Sequence, residues 1–240
     1  MIDRQAAIAV FVKTPGQSPV KTRLATGIGR MAAEEFYRLS VAAVERAVTS
    51  LAASADIAVY WAVAEETGLN DLRWRRFPRV FQGPGNLGDR LNHVFESVQE
   101  RHPTVLAIGA DSPQITPRLI RSALDCLSSK QGSCAHVLGR CYDGGFYLVG
   151  TKAEVPRRAW LEVSYSTSET AERLADQLAA LGAIEELPSL TDVDQVEDLS
   201  RLYDELGEVS EPSREQLALM DWIASWQGPP LQMPTTKRSK

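Results

Sequence analysis

Two apolar stretches, the run from Ala6 to Val12 and TVLAIGA from Thr104 to Ala110, set the main constraint on how this chain can fold. A strand that is apolar at nearly every position, rather than at alternate ones, has to be covered on both faces. Sheets covered in that way are built mainly from parallel strands joined by helices. The first run closes at Lys13 and Pro15-Gly16, which predicts a strand opening into a loop. From about Arg30 to Ala53, Phe36, Leu39, Val41, Val44, Val48 and Leu51 recur among Glu and Arg residues at the spacing of an amphipathic helix.

The alternation continues along the chain. Strands are predicted at 56–63, 79–82 and 104–110, with helices at 87–100 and at Thr116–Ser129, where Thr116 acts as cap and Pro117 as first residue. Strands follow at 134–140 and 146–150, then a helix from about Thr167 to Leu181, a short strand before Pro188, and helices near 195–206 and 213–226. The expected class is α/β: a single Rossmann-like domain with a mostly parallel central sheet and helices on both faces. With 240 residues and no linker-like stretch, one domain over 1–227 is the simpler reading, and the proline-bearing, basic end at 228–240 reads as a disordered tail.

Composition excludes several classes of function. Hydrophobic residues at 44% and charged residues at 24% are those of an ordinary globular chain and exclude a disordered or collagen-like one. A net charge of −5 argues against a general nucleic-acid coat and against binding to an anionic membrane. No apolar run is long enough to span a bilayer, and no secretory leader is evident. Cys126, Cys134 and Cys141 fit neither a disulfide framework nor a CxxC metal pair, so a reducing cytoplasm is expected. The three histidines match no zinc spacing, and GxxxxGK[ST], GxGxxG and GxSxG are all missing.

In this acidic chain, the stretch from Arg4 to Ala33 carries five basic residues and no acidic one. Lys13, Lys21 and Arg23 fall in KTPGQSPVKTR, read as the loop after the first strand, at the carboxyl end of the sheet where open α/β folds take ligands. Such a cluster suits a phosphate-bearing substrate, although short basic clusters also occur as plain solvated loops. GADSP ends the central strand with Asp111, a hard oxygen ligand for Mg²⁺ or Mn²⁺ or else a turn residue bonding backbone amides. DGGFYLVG offers Asp143, Gly144 and Gly145 to a sugar or acceptor, or is a simple hairpin turn. In TDVDQVEDL, Asp192 and Asp194 precede a helix, and Asp194 through Glu197 fits a capping box better than it fits metal ligation. QGPGNLGDRL is a glycine-rich turn containing Gly83 that feeds a helix, where Arg90 and free amides would favour an anion if the turn is more than a tight loop.

In this order, FVKTPGQSPVKTRL, QGPGNLGDRL, GADSPQI, DGGFYLVG, YSTSET and LPSLTDVDQVEDL resemble one family. It is the bacterial glycosyltransferase-like family known as radical-SAM/selenodomain-associated transferase type 1, in the nucleotide-diphospho-sugar transferase superfamily of GT-A fold. The resemblance covers about residues 6–206. It extends to the molybdenum-cofactor and phospholactate nucleotidyltransferases, which share the basic first loop, GxDxP and DxDxxxDL. It implies that Lys13, Lys21 and Arg23 contact nucleotide phosphates, that Asp111 and Asp194 hold a divalent metal, and that Asp143, Gly144 and Gly145 line the acceptor side. The chain departs from the family pattern at Arg140, Tyr165 and Gln195-Val196, where relatives carry Pro, Trp and Thr-Pro.

The leading expectation is a Mg²⁺- or Mn²⁺-dependent transferase that passes a glycosyl group from a nucleotide sugar to a small-molecule acceptor, with Asp143 as candidate base. One alternative is a nucleotidyltransferase joining an NTP to a phosphorylated small molecule with release of pyrophosphate. A third is a non-catalytic nucleotide-binding protein on the same fold. Neither nucleic acid nor a membrane span enters any of the three.

Overall fold

The computed structural model describes residues 5–53, 56–129 and 134–226. Among these residues seven strands form one sheet: β1 (Ala6–Val12), β2 (Ile57–Val63), β3 (Arg79–Phe81), β4 (Thr104–Gly109), β5 (Cys134–Cys141), β6 (Phe146–Thr151) and β7 (Ala183–Leu190). Their order is β3-β2-β1-β4-β6-β5-β7, and β6 alone runs against the others, antiparallel to both β4 and β5. The two apolar runs lie side by side at the centre, Ala6 opposite Thr104 and Phe11 opposite Gly109. This is the expected mostly parallel α/β architecture.

Helices cover both faces, and the alternation of large and small residues along the strands decides which. Ile8, Val10 and Val12 point to the face covered by α2 (Arg30–Ala52) and α4 (Pro117–Ser128), where Val44, Val48, Ile120 and Leu124 close the core. Ala7, Ala9, Ala58, Ala62 and Ala107 point to the opposite face, covered by α3 (Leu87–Gln99), α5 (Arg157–Leu161) and α6 (Thr170–Ala179). The alanines leave room for Phe95 and Trp160, whose tilted rings pack with their centroids 5.0 Å apart. A third cluster joins α1 (Thr22–Ile28), α7 (Asp198–Gly207) and α8 (Arg214–Ser225) to α2 through Leu24, Phe36, Leu202, Leu219 and Ile223. Each fully buried side chain of this size stabilises the fold by about 1.5–3 kcal/mol. Among the described residues no helix is long and apolar enough to cross a membrane.

Several local expectations are corrected. The supposed loop after β1 becomes helical at Thr22, because Leu24 finds a fully buried seat beneath α7 and α8, so Arg23 is a helix residue. Gly29, at φ +85°, then separates α1 from α2. A short helix α5 appears at 157–161, held by Ala159 and Trp160. β7 continues through Pro188 to Leu190. Pro188 is tolerated on an edge strand where the pairing with β5 shifts register. The helix expected from Thr167 begins at Thr170, its preceding turn closed by Thr170 Oγ1 donating to Ser164 O and Thr167 O. Cys126 and Cys134 form a disulfide across 6.1 Å between Cα atoms, overturning the expectation that the cysteines do not pair. Spacing in sequence carried no trace of the proximity of the end of α4 to the start of β5. The proposed tail at 228–240 lies outside the described residues.

Candidate active site

Two adjoining cavities of about 800 Å³ and 500 Å³ open at the carboxyl ends of β1 and β4. Their common wall includes Lys13, Lys21, Asp111, Phe146, Ser166 and Asp192. The basic segment behind the first strand and the carboxylate after the central strand therefore face the same space.

The first wall is a loop held by its own buried polar atoms. Thr14 is fully buried, its amide donating to Glu65 Oε2 at 2.9 Å and its hydroxyl accepting from Trp74 Nε1 at 3.0 Å. Tyr37 reaches from α2 so that its hydroxyl accepts from the Lys13 amide at 2.8 Å and donates to the Lys13 carbonyl at 3.1 Å. Burial pushes the Tyr37 phenol far above its ordinary range, so it stays protonated and keeps both bonds. Tyr37→Phe strands both Lys13 backbone groups. We expect a loss of about 1–2 kcal/mol in urea unfolding, and a change under a few tenths of that would refute the tie. The Lys13 ammonium has no ion-pair partner among the described residues and faces both cavities.

Lys21 behaves differently. Its side chain is only 4% exposed, and Nζ lies 3.0 Å from Asp192, 3.2 Å from Asp111 and 3.9 Å from Asp194. Burial alone would lower its pKa, but the three carboxylates outweigh burial and raise it above the ordinary lysine value, so the ammonium is permanent. Asp194 also accepts from Arg23 Nη1 at 2.8 Å. Three carboxylates thus meet two cations, and burial, with Asp111 and Asp194 close by, raises the Asp192 carboxyl well above the usual carboxylate range against the pull of Lys21. Lys21 has φ +46°, and Ser166, on the same shared wall, has φ +62°. Among the described residues these are the non-glycine residues in the left-handed region. Such strain collects where surrounding structure dictates a side chain's position.

The carboxylates are placed by residues that sequence reasoning passed over. Ser40 Oγ donates to Ala110 O at 2.6 Å, fixing the end of β4. Glu205, on α7, accepts from Gln114 Nε2 at 2.7 Å, Thr191 Oγ1 at 2.6 Å and Thr191 N at 3.1 Å, so one carboxylate joins the GADSPQI turn to the TDVD segment. Asp198 Oδ2 closes the turn before α7 by accepting from the amides of Asp194 and Gln195 at 2.9 and 2.8 Å. The capping box expected of Asp194 does not form: no side chain caps α7, whose first residue, Asp198, instead reaches back to the preceding amides, and the Asp194 carboxylate is left facing the cavity. Asp192 stood in the same motif but was not singled out; nothing local distinguishes Glu205, whose partners lie 14 and 91 residues away.

On the other walls, Arg90 lines the larger cavity and donates to Gly85 O at 3.1 Å and Gln82 Oε1 at 3.4 Å. Gln82 is buried and spends its amide on the carbonyls of Ala62 and Val12. Asn86 caps α3 in a reciprocal box with Asp89, which uses one of the amides expected to be free for an anion. Gly83 lines neither cavity; its φ of +82° and the His93 ring beside it explain the glycine. DGG forms the turn between β5 and β6. Asp143 lines the smaller cavity while accepting from Gly145 N at 2.9 Å. Gly145 lines the smaller cavity too. Gly144 lines neither, and it packs beneath the Ser168 carbonyl.

Among the described residues no three His, Cys, Asp or Glu side chains are gathered into a ready-made metal site. The donor set nevertheless fits a hard divalent cation: the ligand atoms are carboxylate oxygens, the carboxylates outnumber the cations paired with them, and the buried Asp111 Oδ1 has the Lys21 ammonium at 3.2 Å as its ion-pair partner and no other bond among the described residues.

Residues 42–167, just over half the chain, match the family described as "Uncharacterized protein conserved in bacteria (DUF2064)". No curated protein matches the sequence. Among solved structures, the chain is similar to a candidate nucleotide-diphospho-sugar transferase from Desulfovibrio desulfuricans G20, at 24% identity and TM-score 0.76 over 92% of this chain and 98% of that one. It is also similar to 4-diphosphocytidyl-2C-methyl-D-erythritol synthase from Anaerococcus prevotii DSM 20548, at 11% identity and TM-score 0.53 over 86% and 98%. At these identities the likeness shows a shared fold.

Proposed function

Starting from the chain's membership of the DUF2064 family, we propose that it is a transferase that takes a glycosyl group from a nucleotide-diphospho-sugar and passes it to a small acceptor. The observation that carries this reading is the wall shared by the two cavities, where a free lysine, a buried lysine and the Asp111 and Asp192 carboxylates meet. A diphosphate joins two dissimilar groups, and two adjoining cavities with charges at their junction suit such a molecule. The larger cavity, with Val20, Leu91, Ile108 and Tyr147 beside Gln82 and Arg90, suits a nucleoside. The smaller, lined by Asp143, Ser166, Ser168 and Thr170, suits hydroxyl-rich groups. Lys13 would hold the phosphates, and Asp143 would take the proton of the attacking hydroxyl. Asp111 and Asp194, with Asp192 beside them, would hold Mg²⁺ or Mn²⁺, which when bound neutralises charge on the departing diphosphate. The resemblance to the radical-SAM/selenodomain-associated transferases and the likeness to the D. desulfuricans protein support the same reading.

Thermal unfolding with nucleotide sugars, nucleoside triphosphates and Mn²⁺ tests it. A diphosphate sugar at about a hundred times its dissociation constant stabilises the fold by about 2.7 kcal/mol. Stabilisation by a triphosphate and not by any diphosphate sugar would move the reading to nucleotidyl transfer, and stabilisation by neither would remove both. Asp111→Asn is expected to keep the fold and lose the Mn²⁺-dependent part of the shift. Full retention of that part removes Asp111 from the metal site.

A further inference from the structure

The arrangement around Lys21 is excessive for a structural ion pair. One ammonium would be satisfied by one or two carboxylates, yet three converge on it, and the lysine adopts a left-handed backbone that side chains rarely take. Buried ion pairs seldom add net stability, so stability does not account for a strained, buried lysine. Its oxygen partners stand at 3.0–3.9 Å, which are ammonium distances, about 1 Å or more beyond the roughly 2.1 Å that Mg²⁺ requires. A dication therefore cannot stand at the point where the three carboxylates converge, which the ammonium holds, unless the lysine leaves and the carboxylates close in. Lys21 also lines both cavities, so an ammonium released from the carboxylates enters the space where a diphosphate would lie.

We propose that Lys21 is a displaceable counter-cation: it holds the Asp111–Asp192–Asp194 cluster in the ligand-free protein and yields those carboxylates to a divalent metal. The exchange offsets part of the charge of the acidic cluster before the metal arrives and delivers a cation to the phosphates once it is bound. The inference rests on the metal site proposed above, and the test separates the two.

Mn²⁺ binding to the full chain without nucleotide is measured by electron paramagnetic resonance for wild type, Lys21→Met and Lys13→Met, and again with a nucleoside diphosphate present. Without nucleotide, displacement predicts that Lys21→Met binds Mn²⁺ at least tenfold more tightly than wild type, while Lys13→Met, which removes a charge from the same cavities but pairs with no carboxylate, changes affinity less than threefold. Equal affinity in wild type and Lys21→Met overturns the proposal and leaves the metal site standing. Equal tightening in both variants reduces it to bulk electrostatics and likewise overturns it. Absence of Mn²⁺ binding in all three proteins, with and without the diphosphate, overturns the metal site and the proposal together. Should Lys21→Met not fold, the ¹⁵Nζ ammonium resonance of wild-type Lys21 is followed during Mg²⁺ titration. Loss of its slow solvent exchange supports displacement, and an unchanged signal at saturating Mg²⁺ refutes it.

Discussion

Gly144→Ala will lower stability by about 3 kcal/mol, seen as a fall of about 6–12 °C in Tm for a chain of this size. Two costs combine. At φ +89° an alanine carries the penalty of the left-handed region, about 1–2 kcal/mol. Its Cβ would also fall on the backbone carbonyl of Ser168, which no rotamer change can move away. That carbonyl belongs to the 164–170 turn, and Ala171 N donates to Gly144 O at 2.8 Å, so the clash has to be relieved by parting the β5–β6 hairpin from the start of α6. Gly16 provides the control. It has nearly the same φ, +90°, with nothing within 4 Å of a built Cβ, so Gly16→Ala pays the conformational cost alone. If chemical denaturation finds the two alanine variants equally destabilised, the packing half of the argument is wrong. If the argument holds, Gly144→Ala also distorts the smaller cavity and, on the function proposed above, weakens acceptor binding more than nucleotide binding.

Glu205→Ala is expected to cost about 2–4 kcal/mol, although the residue touches neither cavity. Its carboxylate receives the Gln114 amide, the Thr191 hydroxyl and the Thr191 amide, and truncation strands all three donors in partly buried surroundings. The same truncation frees the turn bearing Asp111 from the segment bearing Asp192 and Asp194. The Mn²⁺-dependent part of any nucleotide-induced thermal shift should therefore shrink along with the stability. Urea unfolding at pH 7 measures the first effect and the ligand shift the second. A stability loss below about 1 kcal/mol would mean that water replaces the carboxylate at no great cost and that the two segments are held by something else. Gln216, which donates to Pro113 O at 2.9 Å from α8, is the next candidate for that role.

The fold was legible in the sequence because its strongest signals were local. Apolar runs, helical spacing and Thr116-Pro117 each act within a few residues, and the structure follows them at β1, β4, α2 and α4. The side of the sheet on which the charges gather was legible too, because the end of a buried parallel strand is a fixed place in such a fold. What escaped depended on distant partners. The helical turn at Thr22 exists because Leu24 meets residues from α2, α7 and α8. Asp194 fits the short-range rule for a cap, but its carboxylate is drawn to Arg23 and Lys21 from far along the chain, and α7 starts at Asp198 without a side-chain cap. Lys21 was read as a phosphate ligand from its charge. Its carboxylate partners lie 90 to 173 residues away, and no spacing rule reports that their positions coincide.

The reversed strand β6 has a consequence for how the site can diversify. Because it enters at the rim where its neighbours leave, the cleft on that side is bounded by a hairpin turn, with Ile108 of β4 facing Leu148 just inside. Parallel strands end in crossovers, which also have to carry a helix back to the far end of the sheet. A hairpin tip only has to turn the chain back. On the transfer proposed above, new residues around Asp143 would re-address the chemistry to a different recipient while β1, β4 and α3 keep their grip on the donor, provided the glycine at 144 stays.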